Sequence, residues 1–423
     1  VIGSLLPILV MLPFGGTLLS FAVLPGVAPR FWHRNMVRVT LGWVVLGVVL
    51  AVVREGVGSA AGGLFVSVVV DFLPFIAVLM ALYTLGGGVL IEGGPWGRPA
   101  GNLLLLVIGT VLAGVMGTIG AGLVLIHPLL AANAGRKETR HLVLAFIIVV
   151  ANAGGALSPL GDPPLLIGFL RGVPFFWPLV HLIVPMLVIV VPVLGLTYLY
   201  DRYRAARDDA PGRRALKIRG GLNIALLVGF VIAITVSGIV PGPEVAIGPA
   251  RLSVGQIALT LLAGAVTLIS EQSTSRRIRA RNRFAWAPMR EIAVLFFAIF
   301  VTIPPVLGAI AAAPLAKSPL LWFWLSGVCS AFLDSAPTYL IFFNAAGGDA
   351  ARLIAPPATL LTAVSAGSVF FGAVTYLGNA PNLMIRSIAA RRGVRMPGFF
   401  GYFVAAALVL VPLFIVQSVV FFR

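Results

Sequence analysis

Thirteen residues, Gly155 to Ile167 (GALSPLGDPPLLI), return 217 positions later as Gly372 to Met384 (GAVTYLGNAPNLM), and each copy interrupts a long apolar segment. Six positions are identical, and four more are close substitutes: Leu157/Val374, Ser158/Thr375, Asp162/Asn379 and Ile167/Met384. Gly161, Pro163 and Pro164 in the first copy, and Gly378 and Pro381 in the second, break a helix there, because proline lacks an amide donor and pushes its predecessor out of the helical region. In a hydrocarbon environment such backbone is tolerated only inside protein or along a wet cavity. Paired broken helices in two apolar halves therefore point to a carrier built from internal repeats, with its binding centre at the breaks.

The setting is a bilayer. The chain of 423 residues is 60% hydrophobic and 10% charged, against roughly 25% charged for an ordinary globular domain. Runs such as 65–90, 181–198, 222–240 and 399–420 approach or exceed the ~20 residues that cross a membrane. The first apolar run lacks a basic leader and a small-residue cleavage site, so it is expected to be retained as a span. The lone Cys329 excludes an intrachain disulfide framework and supplies no metal cluster.

The net charge of +17 is explained by placement. Basic clusters fall at 30–38, 136–140, 202–219, 276–290 and 386–395, and if these and Arg98 lie in the cytoplasm only Arg54, Arg171, Arg251, Lys317, Arg352 and Arg423 are outside. That is the positive-inside pattern, and no nucleic-acid partner is needed. The expected localisation is the cell (inner or plasma) membrane, with basic loops cytoplasmic and both termini outside.

The expected fold is an all-α polytopic membrane protein with two inverted repeats, each of five transmembrane helices (one broken) plus one re-entrant hairpin. Residues 1–200 form the N-terminal repeat, with spans near 4–27, 39–53 and 64–90, an inner hairpin at 101–132, a broken helix at 141–171 and a span at 174–200. Residues 201–220 are a cytoplasmic linker. Residues 221–423 form the second repeat, with spans at 221–240, 252–270 and 291–312, an outer hairpin at 318–346, a broken helix at 355–390 and a last span at 398–420. An odd number of crossings per half inverts one repeat relative to the other. The offset of 217 also lays the inner tip Gly117-Thr118 over the outer tip Asp334-Ser335.

Only Asp71, Asp162 and Asp334 are acids placed well inside apolar segments, with no Lys or Arg beside them in sequence. An acid at the membrane centre costs about 2.5–3.5 kcal/mol on insertion scales, which makes such residues functional candidates. The competing structural role is a protonated or backbone-bonded cap. Asp162 stands among carbonyls freed by Pro163 and Pro164, an oxygen-rich setting suited to Na+ or a proton. Its repeat mate Asn379 is neutral, so the two-fold is chemically broken at its centre. Asn152, Ser158, Thr375, Thr118, Ser335 and Asn382 add hydroxyl and amide oxygens, which serve equally well as helix-to-helix glue. Helix starts after both tips and both breaks could instead receive an anion. His127 follows the inner tip and could relay protons, while His181 fits interfacial packing.

The segment NAGGALSPLGDPPLLIGFLRGVPFFW (152–177), with FLDSAPTYL (332–340) and TYLGNAPNLMI (375–385), resembles the ion transporter superfamily, in the branch of citrate transporters and NhaD-like sodium/proton antiporters. The resemblance spans essentially the whole chain. It implies an elevator-type secondary carrier and a homodimer, with outer spans as scaffold and the hairpins and broken helices as the transport domain. Sodium-coupled dicarboxylate members carry Ser-Asn-Thr at both tips. Here the tips read Gly117-Thr118-Ile119 and Asp334-Ser335-Ala336, and an acid at Asp334 opposes a di- or tricarboxylate.

The sequence thus supports a cation/proton (Na+/H+) antiporter, with Asp162 and Asp334 alternating between proton and cation and no cofactor beyond the coupling ion. A cation- or proton-coupled citrate/carboxylate symporter is the second reading. An intramembrane aspartyl protease is the third, though Pro159-Leu160-Gly161-Asp162 lacks the Gly-x-Gly-Asp expected of one.

Overall fold

The structure, a computed structural model, describes residues 9–205, 214–240, 242–311 and 318–423. Helices dominate, and many begin with proline in the first turn, where the missing amide costs nothing and the fixed φ fits the helix. In the first half, α1 (Leu12–Val27) and α2 (Pro29–Glu55) are separated by Ala28 alone. The basic cluster at 30–38 therefore lies on the first turns of a 27-residue helix and not in a loop. The third span is α3 (Val57–Phe65), a π-helical stretch (Val66–Phe72) and α4 (Leu73–Gly87).

The next helix, α5 (Pro99–Ala132), is two helices meeting at Gly117, where φ is 79° and ψ 151°. Its ends come back together: Asn102 Nδ2 donates to Asn133 Oδ1 at 3.0 Å, and Asn133 Nδ2 returns a bond to Asn102 Oδ1 at 2.9 Å. A straight helix would hold these positions more than 40 Å apart at about 1.5 Å per residue, so α5 is a hairpin. The broken helix follows as α6 (Arg140–Val149), a 3-10 turn (Ala153–Leu157) and α7 (Pro163–Leu170), and α8 (Trp177–Ala205) closes the half.

The second half keeps this order: α9 (Gly221–Ile239), α10 (Val254–Ser273), a short α11 (Arg276–Arg281), then α12 (Ala287–Thr302) and α13 (Pro304–Ala311). The outer hairpin is α14 (Pro319–Leu333) and α15 (Ser335–Ala345), folded back so that Trp322 and Phe342 pack edge to face with ring centroids 5.6 Å apart. After α16 (Ala350–Leu353) comes the second broken helix, α17 (Thr359–Phe370), a 3-10 turn (Phe371–Ala373) and α18 (Ala380–Arg391), and finally α19 (Phe399–Phe421).

Two small antiparallel ribbons interrupt the all-α pattern among the described residues. β1 (Leu90–Gly94) pairs with β2 (Arg214–Arg219), Leu90 opposite Arg219 and Glu92 opposite Lys217. β3 (Glu244–Ile247) pairs with β4 (Ala250–Ser253) between α9 and α10. The stretch expected as a linker is thus helical to Ala205 and a strand from Arg214, and residues 206–213 fall outside the described residues.

Burial separates an inner from an outer set of helices. The first broken helix is 78% buried over its apolar window, whereas α2 is 17% and α9 22% buried. The outer helices present Val45, Val49, Val228 and Ile232 outward, as spans facing lipid do. The hairpin tips and the two breaks form the protein's interior.

Candidate functional site

The two halves place the same local backbone around the centre. Asp334, at the outer tip, has φ 76° and ψ 145°, matching Gly117 217 positions earlier at φ 79° and ψ 151°. Asp162 (φ −143°, ψ 142°) and Asn379 (φ −153°, ψ 137°) likewise match as the extended residues that open α7 and α18. The Ser158 hydroxyl donates to the Gly114 carbonyl and Thr375 to that of Ala331, tying each break to its hairpin at equivalent positions. Each also turns its own loop, accepting from the amide of Leu160 at 3.1 Å and of Leu377 at 3.0 Å respectively. Ser158 and Thr375 are therefore structural fasteners, and their oxygens are already engaged.

Glycine is required where each break folds on itself. A Cβ on Gly161 would overlap the Gly155 carbonyl oxygen, and one on Gly378 would come within 2.7 Å of the Gly372 oxygen. Pro163, Pro164 and Pro381 start the second segments and withhold amides there.

At the centre the halves join through side chains. Asn379 Nδ2 donates to Asp162 Oδ1 at 2.9 Å, and the Thr118 hydroxyl donates to the same oxygen at 3.3 Å. Asp162 Oδ2 is buried with no hydrogen-bond partner among the described residues. Asn379 Nδ2 also faces the Ala151 carbonyl at 3.2 Å and Asn152 Oδ1 at 3.3 Å. Asn152 Nδ2 donates to Asn382 Oδ1 at 2.8 Å, and Asn382 Nδ2 donates to the carbonyls of Gly372 at 2.8 Å and Thr375 at 2.9 Å. These amides form a continuous buried network around one carboxylate. Its members fix one another, since a buried polar group left unpaired costs about 1–3 kcal/mol.

Asp334 is partly exposed and accepts from the Ala336 amide at 3.1 Å, so its carboxylate occupies the N-terminal end of α15. Ser335 is buried beside it. Asp334 and Asn379 line one cavity of about 560 Å³, running between α1, α2 and α12 on one side and the outer tip, second break and α18 on the other. His33, Glu291 and Arg391 also line it: Arg391 closes α18, about 16 Å along the helix from Ala380 beside the break, and His33 lies close to Glu291. Glu291 was not singled out from sequence because it begins its apolar run. The signal was its spacing from Pro288 and Leu295, which puts all three on one face of α12.

Asp71 needs correction. It lies in the π-helical stretch and pairs with Arg171, Nη2 to Oδ1 at 3.3 Å, while Arg171 Nη1 reaches Asn344 Oδ1 at 3.4 Å. It is an accompanied, quarter-exposed acid that shares no hydrogen bond with the Asp162 network among the described residues. A second buried acid was missed: Asp201 accepts from Arg136 at 2.6 Å, His141 at 2.9 Å and Asn102 at 2.9 Å, knotting the inner hairpin's base to α8. His127 Nε2 lies 3.2 Å from the Asn282 carbonyl, and His181 stacks on Trp177 with centroids 4.4 Å apart, which are packing roles. Among the described residues no cluster of three or more His, Cys, Asp or Glu could hold a metal ion.

A protein-family model described as "Putative citrate transport" matches residues 3–422. No curated protein matches the chain.

Proposed function

The chain belongs to that citrate-transport family, and from this premise we propose that it is a secondary active carrier exchanging a small cation, Na+ in the first instance, for protons at Asp162 and Asp334. One observation carries the reading. Two of the four helix starts that could receive an anionic substrate carry an acid of the protein's own: Asp334 accepts the α15 amide of Ala336, and Asp162 stands at the N-terminal end of α7, whose first two residues, Pro163 and Pro164, offer no amide donor. An incoming carboxylate would meet two acids and few free donors. A cation or a proton meets oxygens.

Asp162, bonded on one oxygen by Asn379 and Thr118, keeps its second oxygen for the exchanged ion. Asp334, partly exposed to the cavity, hands that ion to and from water. By the positive-inside bias the His33 and Arg391 end of the cavity faces the cytoplasm. Alternating access then requires the hairpins and breaks to move against α1, α2 and α12, the elevator geometry implied by the family resemblance.

A second reading, cation- or proton-coupled citrate symport, is favoured by the family description and by His33 and Arg391 at the end of a cavity of about 560 Å³. Parallel flux assays of Asp334→Asn separate the two. In the exchanger, removing the acid damages cation/proton exchange at every pH. In the carboxylate carrier it removes an electrostatic obstacle, and citrate uptake is unchanged or faster.

A further inference from the structure

The cavity that reaches Asp334 has a second acid at its other end. Glu291 projects from the start of the second turn of α12, exposed to the cavity, and makes no ion pair at contact distance among the described residues. The rest of that end is basic or neutral: His33 on α2, Arg391 and Ser387 on α18, with Arg290 the nearest further cation on α12. Facing α1 contributes only apolar side chains to the lining, and deeper in, Tyr376 and Asp334 are the remaining titratable groups. A cation arriving from this side therefore crosses a positive rim before it meets any oxygen of the central site.

We propose that Glu291 is a cation-recruiting residue, a transient entry station on the fixed wall of the cavity that concentrates small monovalent cations in front of Asp334. The inference rests on the cation-exchange reading. An exposed carboxylate in bulk water attracts a cation weakly, but a narrow cleft with low-dielectric walls focuses the field and raises local counter-ion concentration by tenfold or more. Here one carboxylate partly offsets Arg290 beside it and Arg391 in the same lining, so its removal makes the potential at the mouth more positive. Because Glu291 touches neither the hairpins nor the breaks in any hydrogen bond, it acts on arrival and not on the exchange step at Asp162.

The expected signature is a split between affinity and rate. In proteoliposomes loaded with a pH dye, Glu291→Gln raises the half-saturating Na+ concentration about threefold to tenfold when Na+ is presented on the Glu291 side, with the maximal rate kept. Glu291→Asp restores most of the loss, and Arg391→Gln shifts the half-saturating concentration the opposite way. Raising ionic strength with choline chloride shrinks the difference between Glu291→Gln and wild type. Size-exclusion profiles of the variants report whether each is folded. If wild type exchanges Na+ for H+ and folded Glu291→Gln has an unchanged half-saturating concentration, or loses only maximal rate, the entry station is overturned while the exchanger stands. If wild type exchanges no cation at all, the exchange reading fails and this inference fails with it.

Discussion

Asp334 occupies a backbone conformation that belongs to glycine, and replacing it tests whether the acid is held there for its chemistry. At φ 76° and ψ 145°, a side-chain-bearing residue costs of order 1–3 kcal/mol. Asp334→Ala keeps that strain and loses the cap to the Ala336 amide, a further loss of about 0.5–2 kcal/mol. Asp334→Gly loses the same cap but relieves the strain, at an unfolded-state cost of about 0.4–1 kcal/mol. The glycine variant should therefore be more stable than the alanine variant by about 1 kcal/mol, and close to wild type. Unfolding in mixed micelles titrated with SDS and followed by tryptophan fluorescence measures this, and proteoliposome flux should show exchange lost in both variants. An alanine variant as stable as the glycine variant would refute the strain argument. A glycine variant with normal exchange would remove Asp334 from the mechanism.

Asp162→Asn should leave stability within about 1 kcal/mol of wild type, because the amide oxygen still accepts from Asn379, yet abolish exchange, since an amide cannot trade a proton for a cation; normal flux would exclude Asp162. Gly161→Ala should destabilise by about 1–3 kcal/mol or more and more than Gly378→Ala, since its Cβ meets the opposing carbonyl more closely; equal or reversed losses on SDS titration would contradict the packing. Asp71→Asn should cost at most about 1 kcal/mol, as expected of a quarter-exposed pair with Arg171, and keep exchange near wild type. Loss of exchange there would return Asp71 to the candidate site.

The register of the halves was legible because backbone breaks need particular residues: Gly, Pro and hydroxyls at fixed offsets reproduced both tips and both breaks. Asp162 and its mate Asn379 were legible for the same reason, and their direct bond follows from the broken two-fold. The partner of Asp71 was not, because Arg171 is 100 residues away and meets it only through folding. The join between α1 and α2 was hidden by charge, since Arg30, Arg34 and Arg38 read as a loop but sit on a helix that begins at Pro29. The β1–β2 ribbon escaped because pairing across more than a hundred residues leaves no local periodicity. Glu291 was passed over because a charge at a span's start ordinarily marks an interface, and only the cavity shows where it faces.

Purified wild-type protein in acid-loaded vesicles with an internal pH dye, challenged in turn with Na+, Li+, K+ and citrate, tests cation exchange at Asp162 and Asp334 most directly. The exchanger predicts alkalinisation of the lumen on adding Na+ or Li+, absent in Asp162→Asn and Asp334→Asn, with no response to citrate alone. Citrate-dependent uptake without any cation-driven pH change in the wild type would contradict it.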